Sequence, residues 1–296
     1  MIDRFLEYLE LEKRYSYHTI TNYRKDLKTF MDFYFMSQGS EDLSKVSKKI
    51  IRNFLIELSS KGFSKRSVNR YLSSLRSLFV FLLKIGEIEA SPMESIQSLK
   101  FYSEKQIPFS IDEMQDFKTE VENKNKIPLL EKLIIETLYQ TGIRKAELCN
   151  LLYNNVDFSK KEIRIDGKGN KMRVIPISEE LLVDFHAYLE LRKPLPDFEQ
   201  YFFVNNKGKK LGEKFVYVKV NNYLSKVTTK KKRSPHILRH SFATHVLDNG
   251  AEISKVKKIL GHSSLASTQV YTNANIEQLK KVFNQAHPRA QKNEDL

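Results

Sequence analysis

The sequence predicts a mainly α-helical protein with a small β insert, divided into two domains. Three observations carry this. Apolar residues recur at three-and-four spacing through the first 85 positions and again after position 110. Period-two alternation is clear in one stretch, Glu162–Ile177, where two runs flank Gly167-Lys168-Gly169-Asn170. The chain has 296 residues, and at roughly 100–200 residues per domain that suggests two.

The elements follow in order. Ile2, Phe5, Leu6 and Leu9 form a first stripe, and Ile20, Tyr23, Leu27, Phe30, Met31 and Tyr34 a second. Ile50, Ile51, Phe54, Leu55 and Leu58 form a third; Val68, Tyr71, Leu72, Leu75, Leu78, Phe79 and Leu82 form a fourth. Ser16, Ser47 and Ser64 stand where N-caps belong. Four amphipathic helices joined by short polar turns make a small bundle over 1–86. Gly86 ends the fourth helix, and residues 87–107, with Ser91-Pro92, read as a linker. The second domain is expected over 108–296. It opens with a capping box, Ser110 followed by Glu113. Helices are expected at Ile127–Thr141, from Arg144, and at about 213–227, 237–248, 253–260 and 276–283, with a short strand at Tyr201–Val204.

Composition narrows the function. Fifty Lys and Arg against 36 Asp and Glu give +14, which favours a polyanionic partner, most often nucleic acid. The excess is uneven: residues 1–100 hold 17 basic and 12 acidic side chains, residues 101–200 hold 15 and 18, and residues 201–296 hold 18 and 6. Two basic regions fit a clamp around a long anion. On the fourth helix, Lys65, Arg66, Asn69, Arg70 and Arg76 share a polar side suited to a DNA groove or its phosphates. The single cysteine, Cys149, excludes an intramolecular disulfide and a multi-cysteine metal cluster, and fits a reducing, cytoplasmic setting. Apolar runs are too short to span a membrane. No phosphate-binding glycine loop is present, so a nucleotide cofactor is not expected.

The chemistry-bearing residues lie in five short segments. Four of the seven histidines fall between 236 and 262. Pro235 suits a first helical turn, and His236 and Arg239, three apart, share a helix face. Thr141-Gly-Ile-Arg-Lys-Ala-Glu-Leu stands upstream; Leu260-Gly-His-Ser-Ser and then Tyr271 stand downstream. His236 and His240 lack the accompanying Glu or Cys of a zinc site, so no metal is expected. His240, His245, Tyr201, Tyr217 and Tyr223 read as structural or packing residues.

These segments resemble the signature of the tyrosine recombinases, the site-specific DNA recombinases and integrases. T-G-I-R-K-A-E-L matches the first-arginine motif, G-K-G-N-K-M-R the lysine hairpin, H-I-L-R-H the His-x-x-Arg motif, and L-G-H-S-S with Tyr271 the second histidine and nucleophile. The compact length and the L-G-H-S-S string are most similar to the bacterial Xer subgroup. The resemblance implies a helical core-binding domain followed by a mixed α+β catalytic domain. It implies catalytic roles for Arg144, Lys168, His236, Arg239, His262 and Tyr271, with Glu147 supporting. It implies a specific double-stranded DNA site, a homo- or hetero-tetramer with a possible paralogous recombinase, and a C-terminal helix at about 275–285 docking on a neighbouring subunit. No cofactor is implied.

The physical chemistry is compatible. Two guanidiniums can hold the non-bridging oxygens of a phosphodiester and stabilise its pentavalent transition state. A phenol with an ordinary pKa near 10 needs a base, for which His236 is the candidate. Lys168 can protonate the leaving 5′-oxygen, and a phosphotyrosyl bond conserves the energy for rejoining without ATP or metal. Three alternatives remain open on the residues alone: a phage or transposon integrase or invertase with the same chemistry, a non-catalytic DNA-binding protein of the same fold, and a type IB topoisomerase.

Overall fold

A computed structural model describes residues 1–101, 106–124, 128–167, 171–261 and 273–290. The chain forms two compact units, Met1–Glu104 and Lys105–Leu296. Each has its own apolar core.

In the first unit, helices α1 (Ile2–Leu11), α2 (Tyr17–Gln38), α3 (Lys48–Ser60) and α4 (Lys65–Lys84) enclose the expected stripes. Ser16, Ser47 and Ser64 each accept a backbone N–H three residues on, satisfying a donor that the first helical turn leaves open. Asp26 of α2 is buried, accepts the Ser74 hydroxyl at 2.8 Å, and pairs with Arg70 at 2.6 Å. Burial raises its carboxyl above the ordinary value, with Ser74 and Arg70 opposing that rise.

The stretch expected as a linker behaves differently from a linker over 88–99. Met93 and Ile96 enter the bundle core, where burial removes their apolar side chains from water. Asn69 holds this segment by both ends of its amide, donating to the Leu99 carbonyl at 2.9 Å and accepting the Leu99 N–H at 2.8 Å. Arg76 donates to the Ile96 carbonyl at 2.6 Å and to Ser98 at 3.0 Å. The polar face of α4 therefore serves the fold at Asn69 and Arg76.

The second unit contains α5 (Ile111–Lys124), α6 (Leu129–Thr141), α7 (Lys145–Cys149), β1 (Val156–Asp157), β2 (Glu162–Gly167), β3 (Lys171–Pro176), α8 (Glu179–Leu191), α9 (Glu213–Val227), α10 (Pro235–Asp248), α11 (Ile253–Leu260) and α12 (Asn273–Ala286). The Ser110–Glu113 capping box forms reciprocally. Helix α6 is buried nearly all round, as a central core helix must be. The sheet is antiparallel in the order β1-β2-β3, with Ile163 opposite Ile175 and Ile165 opposite Arg173. Residues 201–204 form isolated bridges, Leu152 with Tyr201 and Val204 with Lys210, in place of the expected strand. No helix among the described residues is long and apolar enough to cross a membrane.

Helix α12 contacts α10 and β3 of its own unit. Leu279, Phe283 and Ala286 are buried in the core of their own unit, against α10 and β3. These three residues are covered within the chain itself; the docking on a neighbouring subunit that the resemblance implies concerns an assembly of several chains. The following residues lock it down: the Phe283 and His287 rings stack at 5.0 Å, and Arg289 forms a buried two-pronged pair with Glu136 of α6.

Candidate active site

Three of the signature segments meet around two arginines. Helix α6 ends at Gly142 in the left-handed conformation, φ +61°. Two residues on, Arg144 is the N-cap of α7. Its backbone N–H donates to Glu147 Oε2 at 2.7 Å and its Nη1 to Glu147 Oε1 at 2.9 Å. The Arg144 side chain stays 47% exposed, so its guanidinium is accessible.

Arg239 reaches the same place from α10. Pro235 starts that helix, and Arg239 falls on its buried face. Its Nη1 donates to the Gly142 carbonyl and its Nη2 to the Leu260 carbonyl, each at 2.5 Å. These carbonyls lie just before the Arg144 segment and just before Gly261-His262. One guanidinium therefore ties three motifs together. Burial, then the nearby Arg144 charge, pulls its pKa down to about 10, which leaves it charged at neutral pH.

His236 stands in the first turn of α10, exposed. Partial burial and then the charges of Arg239, His240 and Arg144 hold its pKa below the ordinary imidazole value. Its neutral, proton-accepting form is favoured at neutral pH.

Sequence reasoning missed Arg173. It lies on β3 with its side chain 4% exposed. Nη1 and Nη2 donate to Glu147 at 3.0 and 2.6 Å, and Nε donates to the Ile259 carbonyl at 2.7 Å. The signal available was its inward place in the alternation, opposite Ile165. Burial pushes the Glu147 carboxyl up, but Arg173, Arg144 and the Arg144 N–H outweigh it and hold it below the ordinary value.

Lys168, His262 and Tyr271 lie outside the described residues. Of the other histidines, His245 is buried between the Tyr139 hydroxyl and the Phe109 carbonyl, both at 2.8 Å. The carbonyl requires an Nε2–H, which leaves Nδ1 to accept from Tyr139. His240 is exposed. Tyr217 is 46% exposed, so it does not pack as expected. No group of His, Cys, Asp and Glu among the described residues could hold a metal ion.

This fold and site define a class. Residues 108–278 match the phage integrase family and residues 2–86 match the phage integrase N-terminal SAM-like domain. The chain belongs to that family, the tyrosine recombinases, and is an enzyme that breaks and rejoins DNA. Within the family it is Xer-like. It is 36% identical over 294 residues to tyrosine recombinase XerC of Listeria innocua, covering 97% of each chain. It is 33% identical over 295 residues to tyrosine recombinase XerC of Shewanella oneidensis, covering 99% of this chain and 95% of the relative. Among solved structures it shares the fold of the Tn1549 transposon integrase in complex with transposon right end DNA, with TM-score 0.74, 18% identity and coverage of 95% and 98%. The XerH site-specific recombinase bound to palindromic difH substrate gives TM-score 0.71, 21% identity and coverage of 95% and 83%.

Proposed function

We propose that this chain recombines DNA at a specific site through a 3′-phosphotyrosyl bond to Tyr271. The observation that carries the reading is the meeting of Arg144, Arg239 and His236 where the α6–α7, α10 and α11 segments join. Arg144 and Arg239 bind the non-bridging oxygens of the scissile phosphate and stabilise the charge that grows there in the transition state. His236, neutral at physiological pH, accepts the phenolic proton as the Tyr271 oxygen attacks phosphorus. Lys168 donates a proton to the departing 5′-oxygen, and His262 donates a hydrogen bond to the phosphate. Rejoining runs these steps in reverse, with a 5′-hydroxyl attacking the phosphotyrosyl bond. Glu147 supports Arg144. Lys65 and Arg66 of α4 face solvent and are the stronger DNA contacts on that helix, since Asn69 and Arg76 hold the 88–99 segment and Arg70, though exposed, pairs with the buried Asp26.

The biological role favoured by the XerC relatives is resolution of chromosome dimers, carried out by a tetramer on two DNA sites, with itself or a paralogue. Mobile-element integration or inversion is the competing role. A nicked suicide DNA carrying the site tests the chemistry: wild-type protein gives an SDS-stable adduct and Tyr271→Phe gives none. An adduct formed equally by Tyr271→Phe overturns it. The adduct rate should also persist below pH 6.5 before falling, because the His236 pKa is depressed. A rate that instead rises as His236 protonates removes it as the base.

A further inference from the structure

Arg173 has the donors of a phosphate-binding residue, but Nε, Nη1 and Nη2 are all engaged by acceptors of the protein itself. Its side chain is 4% exposed. What it does reach is Glu147, the acidic partner of the exposed Arg144. Among the described residues the local charge is then three guanidiniums, Arg144, Arg173 and Arg239, and one carboxylate, Glu147. Among the described residues, loss of Arg173 would leave Glu147 with Arg144 as its single ion-pair partner.

That changes what Arg144 can offer a ligand. A carboxylate whose charge is met by one guanidinium holds that guanidinium's hydrogen bonds and cancels its field. With Arg173 taking both oxygens from the protein side, Glu147 fixes the position of Arg144 while its charge is already balanced. Arg173 also lies against the α11 terminus. A Cβ added at Gly261, where φ is +65°, would sit 3.3 Å from Arg173 Cδ and Nη1. The same side chain thus supports the backbone just before His262.

We propose that Arg173 is a positioning residue of the active site: by neutralising Glu147 from the buried side, it leaves the Arg144 charge directed at the scissile phosphate. This rests on the reading of Arg144 as a phosphate ligand. It differs from an ordinary core contact because the effect of losing Arg173 depends on the charge of Glu147.

The test measures the rate of adduct formation on the nicked suicide DNA, alongside DNA affinity and melting temperature, for R173Q, R173K, E147Q, R144A and R173Q/E147Q. Loss of Arg173 should slow cleavage by about a hundredfold, as for removal of one transition-state donor, with DNA affinity little changed. The double variant R173Q/E147Q should recover at least about tenfold over R173Q, because the unbalanced carboxylate is gone. R173K, which keeps the charge, should lie between wild type and R173Q. Wild-type rates in R173Q, or a folded double variant no faster than R173Q, overturn the proposal. If R173Q does not fold, R173K decides: a folded R173K that cleaves as slowly as R144A overturns it, and one clearly faster supports it. Failure of the underlying reading is distinguishable, since it appears as full cleavage by R144A.

Discussion

Gly142 meets two constraints at one position. Its φ of +61° is costly for any residue with a Cβ, and a Cβ built there falls 2.6 Å from Phe242 Cδ1 and 2.8 Å from Leu260 Cδ2. Gly142→Ala should therefore destabilise the protein by about 2–4 kcal/mol, strain and overpacking combined, in urea unfolding. It should also slow cleavage, because the Gly142 carbonyl is an Arg239 partner. A variant as stable as wild type would show that the turn relaxes at no cost. His287 supports a second prediction. It is fully buried among Tyr139, Phe242 and Phe283, and burial drives its pKa down to about 3. The unfolded chain binds a proton near pH 6.5 and the folded chain does not, so stability falls as pH drops from about 6.5 toward 3. His245, also depressed by burial, adds to the same slope. His287→Asn should flatten the decline between pH 7.5 and 5.5; an unchanged slope assigns it elsewhere.

Helix α12 is held by an apolar face against α10 and β3 and, just beyond its end, by one buried ion pair to α6. The ion pair is the more sensitive part. Arg289 and Glu136 are each 6% exposed. Arg289→Ala leaves Glu136 buried without its cation and should cost about 3–5 kcal/mol. Replacing both, Glu136→Leu with Arg289→Met, should cost much less, and equal losses in urea unfolding would contradict the pairing. This latch was not legible in the sequence, because Glu136 and Arg289 are 153 residues apart and each alone looks like a surface charge. The helices and caps were legible, since three-and-four spacing and a serine before the first apolar residue are local signals. The catalytic candidates were legible for another reason: the signature segments keep their order and internal spacing along the chain. Arg173 was hidden because a basic residue in an alternating strand ordinarily marks the solvent face. The polar side of α4 reads as a DNA face, yet amphipathicity shows only that a face is polar. It does not show whether water, DNA or the 88–99 segment covers it.

The net charge of +14 is divided as +5 over residues 1–100, −3 over 101–200 and +12 over 201–296. Arg144 and Arg173 belong to the acidic third, so on the proposed reading the hold on the phosphate depends on placement, with Glu147 balanced locally, and bulk charge supplies affinity. These two contributions separate in salt. Cations that neutralise DNA phosphates release counterions, and removing one such cation lowers the slope of log K against log salt by about 0.9 on duplex DNA. Arg66→Ala in α4 and Lys231→Ala before α10, both exposed positions in the two basic regions, should each reduce the slope by about that amount and add when combined. Arg76→Ala should change the slope less and stability more, because its guanidinium holds Ile96 and Ser98. Arg173→Gln should leave the slope near wild type while slowing cleavage, since its side chain is shielded from solvent by the protein. Fluorescence anisotropy titrations of labelled site DNA at several salt concentrations read all four slopes. An equal fall in slope for Arg173→Gln and Arg66→Ala would mean that the buried arginine acts on affinity, and the division between placement and bulk charge would fail.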